Sequence, residues 1–147
     1  MDHDSYPDDY IVGILNDVRT IAVVGMSADP ARPSHYVAVF LKSQGYRVIP
    51  VNPGLAGEKM IGETVYASLR DIPEPVDMVD CFRVAEDIPP IVEDAIAINA
   101  KVVWMQLGIR NDAAAQKAEA AGIKVVMDRC PKIEFGHLGH RITVRSQ

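Results

Sequence analysis

Cysteine is scarce in this chain, with only Cys81 and Cys130. Two cysteines do not make a disulfide framework at this length, so both are expected as reduced thiols. Nowhere does the sequence approach the roughly eighteen consecutive apolar residues of a membrane span. Met1, Asp2, His3 and Asp4 supply neither the basic start nor the apolar core of a signal peptide. A cytoplasmic protein with no membrane partner is the expectation. Basic residues are outnumbered, 15 against 20 acidic, for a net charge of −5. That balance argues against nucleic acid as a general partner, though it permits a local basic pocket for a small phosphate ligand.

Several motifs are missing as well. No G-x-x-x-x-G-K-S/T occurs, which excludes a Walker phosphate loop, and no G-x-S-x-G nucleophile elbow is present. Where a dinucleotide fingerprint would read G-x-G-x-x-G, the chain has Gly25, Met26, Ser27, Ala28, Asp29 and Pro30. A nicotinamide cofactor would also want an acid at the end of the second strand, about 20 residues after the glycines, to take the ribose hydroxyls. Val51, Asn52 and Pro53 stand there instead. His137 and His140, three apart beside glycines, have no third metal ligand at a recognisable spacing, and no metal is expected.

What the chain does have is 48% hydrophobic residues in 147, enough for one globular domain with a sizeable core. Strand-like and helix-like blocks alternate. Strands are expected at 20–25, 46–51, 76–82, 101–107 and 123–127. Helices are expected at 33–44, 89–99 and 111–121, capped by Asp87 in the second case and Asn111 in the third. Residues 8–18 read as an additional N-terminal helix, and about 134–147 as a C-terminal tail. The irregular stretch 52–72 is too long for a plain turn and should hold a short hairpin or helical turn. Buried strands separated by amphipathic helices predict an α/β fold, a doubly wound and mainly parallel five-stranded sheet.

Ligands of such sheets lie beyond the carboxyl ends of the strands. The residues there are Gly25, Met26, Ser27, Arg32 and Ser34 after the first strand, and Asn52 and Pro53 after the second. Arg83 follows the third, Gln106 and Gly108 the fourth, and Asp128, Arg129, Cys130 and Pro131 the fifth. The first of these loops runs from an apolar strand through a glycine into a helix opening at Pro33, which is how an α/β protein builds an anion site: unpaired backbone N–H groups face the ligand. Arg32 adds a permanent positive charge.

The segments V-V-G-M-S-A-D-P-A-R-P-S-H, V-I-P-V-N-P, V-D-C-F-R, W-M-Q-L-G-I and M-D-R-C-P-K-I-E occur in this order. Together they resemble the small bacterial and archaeal CoA-binding domain proteins, stand-alone relatives of the N-terminal domain of the succinyl-CoA synthetase alpha subunit. The resemblance covers residues 18 to 135 and implies a Rossmann-like fold that binds coenzyme A, free or acylated, without a demonstrated reaction. By position it implies that Gly25, Met26, Ser27, Arg32 and Ser34 surround the diphosphate, and that Val51, Asn52 and Pro53 line the adenine side. Phe82 and Arg83 would border the middle of the ligand, Gln106 and Gly108 would come next, and Cys130 and Pro131 would close the far end. A thiolate at Cys130 would then be placed to exchange with oxidised CoA. The synthetase's second domain, which bears its phosphorylated histidine, has no room in this length. Alternatives are a nicotinamide-nucleotide-dependent oxidoreductase, or a CoA-responsive regulatory subunit with an unknown protein partner.

Overall fold

The computed structural model describes residues 1–145. Its strands are β1 (Thr20–Val24), β2 (Arg47–Val51), β3 (Lys59–Met60), β4 (Glu63–Thr64), β5 (Met78–Cys81), β6 (Val102–Met105) and β7 (Lys124–Val126). The helices are α1 (Asp8–Asp17), α2 (Pro33–Ser43), α3 (Ile88–Ala97), α4 (Asp112–Ala120) and α5 (Pro131–Leu138). Five strands form one parallel sheet in the order β2-β1-β5-β6-β7. The fold is therefore α/β and Rossmann-like, as expected. From β1 the chain moves outward to β2 and then returns to the other side of β1 as β5, so the order reverses between β1 and β5 and opens a crevice there.

Alternation along the strands divides the core in two. Ile21, Val23, Val48, Met78, Trp104 and Val126 face one way and meet Ile14 and Leu15 of α1, Val37 and Leu41 of α2, and Leu138 of α5. Ala22, Ile49, Val79, Val103 and Val125 face the other way, against Val92 of α3 and Ala115 and Ala118 of α4. Both faces being covered, the strands carry apolar residues at nearly every position.

Between β2 and β5, the stretch 52–72 holds the expected hairpin, β3 with β4, flanked by short 3₁₀ turns at Pro53–Leu55 and Leu69–Asp71. Its turn residues Ile61 and Gly62 both have positive φ, 49° and 77°, as a tight two-residue connection requires. The open edge of β7 is closed without a further strand: the Tyr10 hydroxyl donates to the Val125 carbonyl (2.8 Å) and accepts from the Val125 N–H, and the Tyr6 hydroxyl accepts from the Met127 N–H. Burial pushes the Tyr10 phenol up to about 12, so the donor keeps its proton.

Three expectations need correction. Residues 131–138 form α5, so the tail expected from about 134 begins inside a helix; residues 146–147 of it lie outside the described residues. Glycines at 136 and 139 and His137 obscure any apolar stripe, but Pro131 starts the helix with its fixed φ, and Phe135 sits edge-on to Phe40 and Tyr46. Asp87 makes no capping bond; its carboxylate takes the Arg83 guanidinium, and a 3₁₀ turn at Ala85–Asp87 leads into α3 instead. Each of the five expected strands is one to three residues shorter than read, although the Phe82 and Gln106 N–H groups still donate to the Val24 and Cys81 carbonyls just past the ends of β5 and β6. Asn111 caps α4 as expected, accepting from the Ala114 N–H at 3.0 Å.

Candidate functional site

The loop from β1 to α2 is ordered from within. Ser34 Oγ accepts the Ser27 N–H (2.8 Å), Ser27 Oγ accepts the Asp29 N–H, and Asp29 Oδ1 accepts the Ala31 N–H. His35 Nδ1 lies 2.8 Å from the Ser27 carbonyl oxygen. With these bonds made, the N–H groups of Ala28, in the loop, and Ser34, in the opening turn of α2, have no partner among the described residues. Arg32 is exposed, precedes Pro33 at the first position of the helix, and has no ion-pair partner among the described residues. The loop thus presents free donors and an uncommitted positive charge at the positive end of a helix dipole.

Gly25 is fixed by close approach. Its φ is +87°, and a Cβ there would lie 2.9 Å from Arg83 Cδ and 3.0 Å from the Phe82 carbonyl oxygen. This residue lets β1 hand over to the loop directly above the end of β5.

A hollow of about 680 Å³ brings together Gly25, Ser27, Arg32, Ser34, Asn52 and Phe82. Pro33 and Phe82 also line the neighbouring groove of about 1010 Å³, so the two adjoin at these residues. That groove runs between α2 and α5, past Gln106 and Cys130 and on to Phe40, Phe135, Ile142 and Val144. On the α3 side of the crevice, Val51, Asn52, Pro53 and Arg83 border a smaller hollow of about 270 Å³.

Several expected residues serve the fold more than the crevice. Asn52 uses both ends of its amide, donating to the Met26 carbonyl (2.9 Å) and accepting from the Gly54 N–H, so it ties the ends of β1 and β2 together. The Met26 side chain is fully buried in the core and offers the loop only backbone. Arg83 is paired with Asp87 at 2.8 Å. Gly108 lies in an exposed turn, where its N–H is taken by Asp128 Oδ1 at 2.6 Å. Pro131 is buried at the head of α5. The Arg129 guanidinium lies over the Tyr6 ring, 5.1 Å from its centroid, on the α1 side of the molecule.

The two cysteines have different settings. Cys81 is wholly buried on the α3/α4 face, where desolvation pushes its thiol up, aided by Asp80. Cys130 is 7% exposed and lines the groove. The residues that sequence reasoning missed are Tyr36, Phe40, Lys132, Ile133 and Phe135, which form the long walls of that groove. Pro131 followed by Ile133 and Phe135 was the available sign of a helix there. Asp80 was also missed: it is fully buried, and neither carboxylate oxygen has a partner among the described residues.

A five-stranded parallel sheet covered on both faces, with its crevice at the point of strand reversal, defines a Rossmann-like α/β fold. Residues 19–136 match the model of the CoA binding domain family, and the chain belongs to that family. It is 38% identical over 120 residues to the uncharacterized protein YneT of Bacillus subtilis, covering 82% of this chain and 87% of that one. The structure of cell-free ID.343 from Thermus thermophilus superposes with a TM-score of 0.86 at 42% identity, covering 90% of this chain and 99% of that one. An ADP-forming acetate–CoA ligase of Archaeoglobus fulgidus is 30% identical over 91 residues, which are 58% of this chain but 13% of the ligase. Among the described residues no helix is long and apolar enough to cross a membrane.

Proposed function

We propose that this protein binds coenzyme A or a CoA thioester, without catalysing a reaction on it by itself, and holds the diphosphate at the loop between β1 and α2. The observation that carries this reading is the uncommitted donor set at that loop: the free N–H groups of Ala28 and Ser34, the unpaired Arg32 and the helix N-terminus all border one hollow. Family membership gives the ligand its chemical class. The pantetheine arm then passes Phe82 and Gln106 toward Cys130, along the groove that adjoins the anion hollow at Pro33 and Phe82. A nicotinamide nucleotide gains nothing at Asn52, whose amide is already spent within the fold and which carries no acid for a ribose.

Isothermal titration with CoA tests the diphosphate assignment. Arg32→Ala is expected to weaken binding by about 1.5 to 3 kcal/mol, the worth of a charge-assisted hydrogen bond. An unchanged affinity removes Arg32 from the site.

A second test concerns the far end of the arm. If the ligand sulfur reaches Cys130, incubation with CoA disulfide should let the Cys130 thiolate attack it, leaving CoA joined to the protein and releasing one CoA thiolate. Intact mass should show the adduct in the wild type and in Cys81→Ser, and not in Cys130→Ser. An adduct on Cys81 alone, or none, contradicts this path for the arm.

A further inference from the structure

We propose that the groove between α2 and α5 receives an apolar acyl chain, so that the ligand is an acylated CoA of at least medium chain length rather than the free thiol. The inference rests on the CoA reading above and deepens it. It begins with the lining where the pantetheine arm would enter from the anion hollow: Gln106, 5% exposed, and Cys130, 7% exposed, offer little polar surface to the groove.

Beyond Gln106 and Cys130 apolar side chains predominate in the lining. Val37, Phe40, Phe135, Ile142 and Val144 offer no hydrogen-bonding side-chain group, against Gln44, Lys132 and the Tyr36 hydroxyl. A hydrocarbon lying along the apolar members leaves no polar group unpaired. The volume agrees: about 1010 Å³ is at the top of the range of roughly 300–1,000 Å³ that small-molecule sites span. These walls are also fixed, with Phe135 edge-on to Phe40 at 5.6 Å and to Tyr46 at 6.1 Å. Lys132 lies over the Tyr36 and Phe40 rings, 5.4 and 5.9 Å from their centroids.

Gly136 keeps the groove open. It lines the cavity from the middle of α5, and a Cβ placed there meets nothing within 4 Å. Leucine at this position would therefore occupy chain space without a backbone clash, and it favours a helix more than glycine does.

Calorimetric titration of CoA, acetyl-CoA and octanoyl-CoA, on the wild type and on Gly136→Leu, tests the proposal. Each methylene moved from water to an apolar site is worth up to about fourfold in affinity, so octanoyl-CoA should bind at least about tenfold more tightly than acetyl-CoA. In Gly136→Leu that advantage should vanish while acetyl-CoA binds as before. Octanoyl-CoA binding no more tightly than acetyl-CoA to the wild type, or keeping its advantage in folded Gly136→Leu, overturns the acyl assignment and leaves the CoA reading standing. Failure of every CoA species to bind the wild type overturns both. Should the leucine variant not fold, the wild-type comparison of chain lengths decides alone.

Discussion

Replacing Asp80 by Asn should stabilise the protein at neutral pH and flatten the dependence of its stability on pH. Asp80 lies on β5 in register with Val23 of β1 and Trp104 of β6, is 0% exposed, and has no partner for either carboxylate oxygen among the described residues. Burial raises its carboxyl well above the ordinary value of 3.8. The native state therefore holds a proton that the unfolded chain gives up near its ordinary value. The sign follows from linkage: the stability this group contributes is complete below 3.8 and is lost as pH rises toward its native value, at up to about 1.4 kcal/mol per pH unit. Asparagine has no proton to lose. Glu134, raised by burial, and Glu74, lowered by its bond to Arg47, are the same in both proteins and cancel in the difference. Urea unfolding of both proteins at pH 4.5, 6 and 7.5 should show curves that converge in acid and separate as pH rises. Equal slopes would mean that Asp80 is ionised in the native protein.

Gly25→Val is the second large effect, and it should damage folding and binding together. The position requires φ = +87°, which a β-branched residue adopts only under strain, and its Cβ would stand 3.0 Å from the Phe82 carbonyl oxygen, a backbone atom that cannot swing aside. Left-handed strain of about 1–3 kcal/mol and overpacking of similar size together predict a loss of about 3 to 5 kcal/mol. The clash also pushes apart the ends of β1 and β5, between which the crevice opens, so CoA affinity should fall even at temperatures where the variant remains folded. Thermal unfolding followed by circular dichroism, with titration well below the midpoint, measures both. A variant as stable as the wild type would show that the loop relaxes freely at this position. By contrast, Gly57 and Gly108 also have positive φ, but a Cβ at either meets nothing within 4 Å.

The sheet was legible because burial on both faces leaves strands apolar at nearly every position, and because Asn111 marks the start of α4. The strand–loop–helix turn at Gly25 was legible for a related reason: a strand ending in glycine before a helix that opens with proline marks such a turn. The groove between α2 and α5 was hidden. Its second wall, α5, contains Gly136 and His137 and lacks a periodic apolar face, so it read as tail; it is held by Phe135 and Leu138 meeting residues distant in sequence. Asp80 was hidden among Met78, Val79 and Cys81, where an acid reads as an ordinary solvated residue until the neighbouring strands are seen to cover it. Asn52 shows the opposite case. It stands where a ligand contact was expected, but both halves of its amide hold the fold together.

Whether the crevice takes CoA through its diphosphate and arm is decided by calorimetric titration of one protein sample with CoA, acetyl-CoA, ATP and NAD in turn. Saturable heat with a CoA species at one site per chain, with NAD silent and ATP weaker than CoA for want of the arm, is the predicted result. Saturable binding of NAD with no heat from either CoA species would contradict it.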